Sequence, residues 1–249
     1  MSSYLIAPRT VHHGKAVITG DEARHAIRVA RRRVGEHILL IDGAGTAYEA
    51  RVSALGHDRV ECEVLNRVEE YGEPHVKVTL AAALVKSDRF ETLIEKAVEL
   101  GVSAIWPMET AFSVVRNPSE NKWRRWSAIA LSATKQCLRS RVPEVARPLA
   151  LADLAGRLPE FDGAFVAWEG ESEHALGADT VLVGTRFLVV IGPEGGFKGE
   201  EITLLRAGGA RTITLGPRRL RAETAAISAL VLVMDRTGEL NRPLKLADG

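Results

Sequence analysis

The chain of 249 residues has only two cysteines, Cys62 and Cys137, and they lie far apart in the sequence. This scarcity excludes a disulfide framework and a cysteine-based zinc site, and it favours a reducing compartment. The chain also lacks an apolar run long enough to span a bilayer, and no signal-peptide core follows Met1. We therefore predict a cytoplasmic protein with no membrane partner and no bound metal.

Several common nucleotide-binding and catalytic motifs are missing as well. The sequence contains no Gly-x-x-x-x-Gly-Lys phosphate loop, no His-Glu-x-x-His zinc motif and no Gly-x-Ser-x-Gly nucleophile elbow. Gly43-Ala44-Gly45 lacks the third glycine of a dinucleotide fingerprint, so we predict that it forms a turn. The net charge is +1, so nucleic-acid binding would have to depend on local basic patches rather than on the total charge.

The N-terminal part of the chain, as far as Tyr71, is rich in strand-like segments. Between residues 60 and 64, valine or cysteine alternates with glutamate, which is the period of a strand with one wet face. Asp42-Gly43 is a hairpin signal, and residues 71–74 have the composition of a linker. These features indicate a small barrel or sandwich. We predict strands over residues 15–19, 37–42, 46–55 and 59–68, and one helix over residues 21–34.

From His75 onward, buried-strand patterns alternate with helical patterns, which indicates a parallel α/β sheet. The last helix, Ala222 to Met234, is apolar nearly all round, so we expect it inside the sheet packing or at a subunit interface. The predicted strands cover residues 76–84, 102–106, 164–168, 186–191 and 211–215. The other predicted helices are residues 87–100, which end at Gly101, and a helix from residue 119 that buries Trp123, Trp126, Ile129 and Ala130.

Two of the predicted strands end in a Gly-Pro turn that is followed by a charged helix start, within Leu188–Glu201 and Ile213–Ser228. Ligands of open α/β sheets bind just beyond the carboxyl ends of parallel strands, and glycine lets the backbone approach them. Either loop alone is best explained as an ordinary strand-to-helix turn. As a pair, they favour one cleft that is built mostly from main-chain groups. The charged residues at the loop tips are Glu194, Arg218, Arg221 and Glu223.

The amino-acid sequences of these two loops resemble those of a known family. The segments Ile191-Gly-Pro-Glu-Gly-Gly-Phe197 and Leu215-Gly-Pro-Arg-Arg-Leu-Arg-Ala-Glu-Thr-Ala225 are similar to the signature loops of the bacterial 16S ribosomal RNA uridine-N3 methyltransferases, which belong to the SPOUT superfamily. Segments within 85–101 and 136–144 extend the resemblance. It implies a PUA-like RNA-binding β-barrel over residues 1–72 and a SPOUT-type α/β methyltransferase domain over residues 73–249 with a C-terminal trefoil knot. It also implies a homodimer.

The resemblance further implies S-adenosylmethionine as the cofactor. Loops that end in Gly-Pro and have apolar neighbours can supply the main-chain hydrogen bonds and apolar walls that an adenine needs. Trp168 either borders this site or belongs to the core, and the sequence favours neither. The implied cofactor-binding residues are Ala167, Trp168, Glu169, Ile191, Gly192, Pro193, Glu194, Gly195, Gly196, Leu215, Gly216, Leu220, Arg221, Thr224 and Ala225.

The reaction that the resemblance implies is methylation of N3 of a uracil base in 16S ribosomal RNA. Neutral uracil carries a proton on N3, so either a base removes it or cationic donors stabilise the charge that develops on O2 or O4. Arg218 and Arg221 suit the second role, and Glu194 or Glu223 suits the first, although either glutamate could instead fix the loops. Glu223 equally suits a plain acid in the first turn of a helix, where the dipole favours it. The candidate catalytic residues are Arg218, Arg221 and Glu223.

Two basic runs are candidates for contact with RNA phosphates. The first, residues 24–33, resembles the family's His-x-x-x-Val-x-Arg stretch. The second, residues 116–147, holds eight Lys or Arg residues against two Glu residues. A charge run is usually a solvated face, but two such runs in a near-neutral protein favour phosphate contact. The predicted RNA-binding residues are Arg24, His25, Arg28, Arg31, Arg32, Lys86 and Arg139.

Two alternative functions remain open. A non-catalytic RNA-binding factor could have the same fold, although the intact glycines of both loops argue against lost activity. A SPOUT methyltransferase could instead act on a ribose 2′-hydroxyl or on another RNA. Only the sequences of the two loops favour a uridine-N3 methyltransferase over that enzyme.

Overall fold

The computed structural model describes residues 3–7, 10–177 and 179–243. These residues form two compact units. The first unit comprises the described part of Met1–Glu73 together with Leu131–Val142, and the second comprises Pro74–Ala130 and the described residues from Pro143 onward. The predicted domain boundary between residues 72 and 73 stays a prediction.

The first unit is a five-stranded curled sheet, as its alternating sequence predicted. The strand order is β1-β3-β4-β5-β2, and only the β1–β3 pair is parallel. Along β5, Val60 and Cys62 point inward and are buried, while Glu61 and Glu63 are more exposed. The predicted turn at Gly43-Ala44-Gly45 is confirmed between β3 and β4. The strands are Ser3–Leu5 (β1), Lys15–Thr19 (β2), His37–Ile41 (β3), Thr46–Leu55 (β4) and Arg59–Glu69 (β5).

The helix of this unit is shorter than predicted. It begins as an α-helix over Gly20–Arg24 (α1) and continues as a wider turn over His25–Val29, in which the Ala30 amide donates to the His25 carbonyl at 2.9 Å. The predicted end at residue 34 is therefore wrong. The chain leaves the helix because Arg31 adopts a left-handed backbone with φ +50°, which no helix continues. Such widened turns often occur at functional sites.

A short segment from the middle of the sequence belongs to this first unit because polar side chains hold it there. Lys135 pairs with Glu22 at 2.6 Å, and the Ser3 hydroxyl donates to the Lys135 carbonyl at 2.7 Å. Arg139 and Glu73 form a buried ion pair whose shortest contact is 2.6 Å. Each of these contacts joins residues that are far apart in sequence, so none of them was visible as a local pattern.

The second unit contains a fully parallel sheet, which confirms the predicted alternation of strands and helices. Its order is β12-β10-β11-β6-β7-β8, and β9 also pairs with β7. The central strands are buried on both faces, as their continuous apolar runs predicted. The strands are Lys77–Ala83 (β6), Ala104–Glu109 (β7), Glu144–Val145 (β8), Leu149–Ala150 (β9), Gly163–Ala167 (β10), Arg186–Ile191 (β11) and Arg211–Ile213 (β12).

Five α-helices accompany these strands among the described residues. The first packs its apolar stripe inward, with Phe90 and Val98 fully buried, and ends before Gly101, whose φ of +89° suits glycine. No helix in the described ranges is both long and apolar enough to cross a membrane. The helices are Ser87–Glu99 (α2), Glu120–Gln136 (α3), Leu151–Arg157 (α4), Gly199–Ala207 (α5) and Ala222–Arg236 (α6), and α3 contributes residues to both units.

Helix α3 buries less apolar surface than predicted. Trp126 and Ala130 are buried as expected, but Trp123 and Ile129 are only half-buried, so that part of the prediction is wrong. Trp123 lies near the surface because its indole N–H donates to the Val145 carbonyl at 2.8 Å. The guanidinium of Arg147 covers the outer face of the ring, 4.0 Å from its centroid.

Helix α6 packs against α2 and against strands β6 and β11. Its buried face carries Ala226, Leu230 and Val233, which confirms burial in the sheet packing. Ile227 and Val231, on the rest of the helix, are half-buried. The predicted role of this helix at a subunit interface stays a prediction.

Candidate active site

A cavity of about 920 Å³ lies at the carboxyl ends of three neighbouring parallel strands. Strand β10 lies between β11 and β12, and its last residue Ala167 is level with Ile191 and Ile213. The three following loops therefore emerge at one edge of the sheet and surround one space. This is the edge at which open α/β sheets bind their ligands.

The first loop follows β11 and turns tightly at its glycines. A Cβ on Gly192 would lie 2.8 Å from the ring of Phe197, and a Cβ on Gly196 would overlap the carboxylate of Glu169. Gly196 also has a φ of +75°, and its amide donates to the Pro193 carbonyl at 2.9 Å. The backbone of this loop can therefore approach the cavity only because side chains are missing there.

The second loop follows β12 and presents main-chain groups. The Gly216 backbone has a φ of +95°, and its amide donates to the Thr214 hydroxyl at 3.3 Å. Within the described ranges, the amides of Leu215 and Leu220 donate no hydrogen bond to the protein, although both residues line the cavity. Backbone donors without a protein partner next to a cavity are suited to a polar ligand.

Two arginines connect the loops to each other and to helix α2. The Arg219 side chain donates to the Glu194 carbonyl at 3.1 Å, which joins the second loop to the first. The Glu194 carboxylate forms an ion pair with Arg89 on helix α2. The Glu194 carboxylate is therefore already engaged by a cation of the protein.

The third wall comes from the loop after β10. Glu171, which sequence reasoning missed, lines the cavity and is buried. Its carboxylate accepts from the Thr212 hydroxyl, from the Glu173 amide at 2.9 Å and from the His174 ring at 3.1 Å, and these bonds hold its pKa well below the usual range. A carboxylate bound by so many donors fixes the loop rather than moving protons.

Trp168 serves both roles that the sequence left open. It lines the cavity, and it also packs against the apolar core of the second unit. The guanidinium of Arg206 lies over its ring, 5.2 Å from the centroid. The indole is therefore a fixed wall between the core and the cavity.

The cavity brings together most of the residues that the sequence singled out. Arg218 lines it, as do the predicted cofactor-binding residues Ala167, Trp168, Glu169, Ile191, Gly192, Pro193, Glu194, Gly196, Leu215, Gly216, Leu220 and Ala225. Missed lining residues are Glu171, Ser172, Phe197, Thr214, Pro217, Arg219 and Ala222. Those within the two loops could have been found from the loop motif itself, and Glu171 and Ser172 from the rule that loops follow strand ends.

Four predicted residues do not line the cavity. Gly195 faces Phe112 instead, and Arg221 is the exposed residue that precedes helix α6. Glu223 lies in the first turn of α6, where one of its carboxylate oxygens is buried and bonded to no atom of the described chain. The fourth is Thr224, which is exposed. Their predicted roles stay predictions.

The two basic runs differ in how far their charges are already paired. In the first run, Arg24 pairs with Asp21, and Arg32 donates to Tyr4 and Glu36. The hydrogen bond to the Tyr4 hydroxyl is the main cause that raises the pKa of Arg32. Arg28 and Arg31 are exposed, and no carboxylate within the described ranges pairs with them, so their charges face solvent.

The second run is largely neutralised by acids that lie elsewhere in the sequence. Its carboxylate partners include Glu91 for Arg125 and Glu22 for Lys135, as well as Glu70 for Arg141. The surplus of positive charge in this run therefore does not form one continuous basic patch that could bind RNA phosphates. Arg139 is 3% exposed and bound to Glu73, so its placement does not support the predicted contact with RNA. Lys86, by contrast, is exposed at the start of helix α2.

Comparisons with known proteins place the chain in a family. A family model described as an RNA methyltransferase domain matches residues 72–234, and one described as an RNA methyltransferase PUA domain matches residues 18–65. The ribosomal RNA small subunit methyltransferase E of Bacillus subtilis is 34% identical over 229 residues, which cover 88% of this chain and 90% of that protein. This chain belongs to the ribosomal RNA small subunit methyltransferase E family.

Other members of the family agree in length and fold. The methyltransferase E of Mycobacterium bovis is 36% identical over 86% of this chain and 84% of its own length. The crystal structure of the Neisseria gonorrhoeae methyltransferase E bound to S-adenosylmethionine has a TM-score of 0.85 at 29% identity and covers 95% of this chain and 98% of that one. A Legionella pneumophila protein with the same bound cofactor has a TM-score of 0.83 at 28% identity, covering 94% of this chain and 97% of that one. The predicted fold class is thereby confirmed, and the trefoil knot stays a prediction.

Proposed function

We propose that this protein transfers the methyl group of S-adenosylmethionine to N3 of a uridine in the 16S ribosomal RNA of the small subunit. The observation that carries the proposal is the cavity enclosed by both Gly-Pro loops at the carboxyl ends of three parallel strands. Membership of the methyltransferase E family supports the reaction type and the ribosomal RNA as substrate.

The residues around the cavity fit this cofactor. Its volume of about 920 Å³ is within the range of small-molecule sites, and its lining includes both apolar residues and glycines. We propose that the amides of Leu215 and Leu220 bind the adenine, because they have no partner within the described ranges. The Glu169 carboxylate lines the same space and is suited to the hydroxyl groups of the ribose. The predicted wall residues Ile191 and Ala225 would supply apolar contact.

When bound, S-adenosylmethionine supplies an electrophilic methyl carbon, so the protein has to supply position and charge. Arg218 lines the cavity. Its guanidinium forms no hydrogen bond or ion pair within the described ranges, so it is available to a substrate. We assign it the binding of O2 or O4 of the uracil, where negative charge develops as N3 loses its proton. The two loops hold the base against the methyl donor, and this alignment of the reacting groups lowers the activation barrier.

Three carboxylates line the cavity. We assign Glu169 to the ribose, and the other two are poorly suited to remove the N3 proton. Glu194 is paired with Arg89, and Glu171 is held by several donors that stabilise its charged form. Glu223 does not line the cavity. Stabilisation of the developing charge by Arg218 is therefore the favoured route, and proton release to water completes it. We keep Arg221 and Glu223 in the proposed catalytic set.

We propose that the first unit binds the RNA through Arg28 and Arg31 together with Arg24, His25 and Arg32. The first two have no carboxylate partner within the described ranges and can each neutralise one phosphate. Lys86 of the second unit is exposed and is kept in the proposed set. The proposed domains are residues 1–72 for RNA binding and residues 73–249 for methyl transfer, the latter with the trefoil knot.

The proposed RNA contact predicts a specific salt dependence. In the double variant Arg28→Ala, Arg31→Ala, the slope of log affinity for small-subunit RNA against log salt falls by about two, because two phosphate contacts are lost. Filter binding at several salt concentrations measures it. Arg51→Ala is the control, since Arg51 is already paired with Glu63 at 2.6 Å and its loss leaves the slope unchanged. An unchanged slope in the double variant excludes these arginines as phosphate ligands.

We also propose a homodimer, because helix α6 keeps half-buried Ile227 and Val231 outside its packing on the sheet. Sedimentation equilibrium is expected to give about twice the chain mass of 27.0 kDa. A species of 27.0 kDa at all concentrations refutes the dimer. Because the proposed substrate is ribosomal RNA, we place the protein in the cytoplasm.

The experiment that tests the function is nucleoside analysis of small-subunit RNA from a strain that lacks this gene. The proposal predicts loss of 3-methyluridine and its return when the gene is supplied again. Persistence of 3-methyluridine together with loss of a ribose 2′-O-methyl nucleoside would establish the alternative reaction. An unchanged nucleoside profile, with intact binding of the RNA, would establish a non-catalytic binding factor.

A further inference from the structure

An exposed aromatic side chain stands beside the first loop of the cavity. Phe112 is 46% exposed, and its Cβ lies 3.0 Å from the position that a Cβ on Gly195 would occupy. Gly195 joins Glu194 to Gly196, and both of these neighbours line the cavity. The Phe112 side chain therefore lies next to the first loop, beside two residues that line the cavity.

The segment that carries Phe112 is held in a fixed shape. The Thr110 amide donates to the Ser113 hydroxyl at 2.9 Å, and the Arg116 guanidinium donates to the carbonyls of Thr110 and Ala111 at 3.2 and 3.3 Å. These bonds turn the backbone tightly on both sides of the ring. A phenyl ring that is fixed in an exposed position keeps apolar area in water, which costs free energy unless a partner covers it.

Glu201 ties this segment to the cavity. One of its carboxylate oxygens accepts from the Ala111 amide at 2.8 Å, and the other accepts from the Lys198 amide at 2.8 Å. Lys198 directly follows Phe197, the last cavity residue of the first loop. The Phe112 segment and the first loop are therefore linked through a single carboxylate, which fixes the ring relative to the cavity.

The charges near the ring are suited to nucleic acid. The Lys198 ammonium lies 5.9 Å from the centroid of the Phe112 ring, and Arg116 on the same segment is also exposed. A flat apolar surface flanked by cations binds single-stranded RNA, because a base stacks on the ring while the cations neutralise neighbouring phosphates. A folded protein partner would match this combination of ring and cations less well than an unstacked nucleotide does.

We infer that Phe112 stacks on an unpaired base of the RNA substrate next to the methyl-transfer site. The inference rests on the proposed function, because that function supplies the RNA and the position of the reacting base. Phe112 binds substrate and has no part in holding the cofactor, since neither it nor Gly195 lines the cavity. Its removal should therefore weaken RNA binding and leave the affinity for S-adenosylmethionine unchanged.

The test compares Phe112→Ala and Phe112→Trp with the control Val114→Ala, which removes a 76% exposed apolar residue from the same segment. Small ribosomal subunits from the deletion strain serve as substrate, and calorimetry gives the affinity for S-adenosylmethionine. Phe112→Ala is expected to raise KM for the subunits by about fivefold or more, as loss of one stacked base does. Phe112→Trp keeps a stacking surface and is expected to retain the wild-type KM, as is Val114→Ala.

A second readout does not depend on turnover. Fluorescence anisotropy with a labelled uridine-rich single-stranded RNA should show the same loss of affinity in Phe112→Ala. If the wild type methylates the subunits and Phe112→Ala has an unchanged KM, the stacking is refuted and the proposed function stands. Equal impairment of the alanine and tryptophan variants also refutes the stacking. Loss of RNA affinity in Phe112→Ala, alongside a wild type that does not methylate, supports the stacking and refutes the proposed function.

Discussion

Arg218→Ala is expected to lower kcat for methylation of small ribosomal subunits by about a hundredfold or more. Removal of a donor that stabilises developing negative charge has effects of this size in other enzymes. Arg218 lines the cavity at the tip of the second Gly-Pro loop, and it is exposed there. The affinity for S-adenosylmethionine should change little, because main-chain groups of Leu215 and Leu220 are proposed to bind the cofactor.

Two companion variants make this result interpretable. Arg218→Lys keeps the charge but loses the planar group with its paired donors, so we expect partial activity. Arg211→Ala removes an exposed arginine of strand β12 that does not line the cavity, and kcat should stay at the wild-type value. A kcat in Arg218→Ala that equals the value in Arg211→Ala would exclude Arg218 from charge stabilisation.

Glu73→Ala is expected to lower the free energy of unfolding by about 3–5 kcal/mol, the loss typical of a broken buried ion pair. The Glu73 side chain is 4% exposed and that of Arg139 is 3% exposed. Glu73 also accepts from the Arg141 amide at 2.9 Å. Its removal takes away the carboxylate that neutralises a buried guanidinium, and it leaves a partly buried amide without this acceptor.

A nearby pair provides the matched control for stability. Glu70 pairs with Arg141 on the surface of the same unit, where the two side chains are 57% and 41% exposed. Glu70→Ala should therefore cost less than about 1 kcal/mol, because exposed pairs are screened by solvent. Urea unfolding followed by circular dichroism measures both variants. Equal losses in the two variants would show that burial of the Arg139 pair does not contribute to stability.

Local patterns were sufficient to predict the elements of the fold. The alternation around Val60 and Cys62 and the stripe from Phe90 to Val98 each reflect contacts that repeat within one strand or one helix. Element ends were less accurate where a single backbone angle decides them. The left-handed Arg31, for example, ends its helix earlier than the apolar spacing indicated.

Pairing between distant residues was not predictable from one sequence. Lys135 lies 113 positions from Glu22, and Arg139 lies 66 positions from Glu73. Nothing in the local sequence marks these acids as partners. The basic run from residue 116 to 147 therefore looked like a charged face, whereas much of its charge is paired within the fold.

The same distinction between local and distant contacts explains which residues of the candidate site were predicted and which were missed. The residues of the two Gly-Pro loops were found because the loops are continuous in sequence and follow predicted strands. Glu171 was missed because its importance comes from Thr212, 41 positions away on strand β12. Phe112 was missed because only the folded chain brings it next to Gly195.

The most direct test of the central claim is a crystal structure of this protein with S-adenosylmethionine. We expect the nucleoside between the loop from Ile191 to Phe197 and the loop from Thr214 to Leu220, with its adenine bonded to main-chain amides of the second loop. A cofactor bound outside this space, or saturating S-adenosylmethionine without any bound nucleoside in the crystal, would contradict the assignment of the cavity.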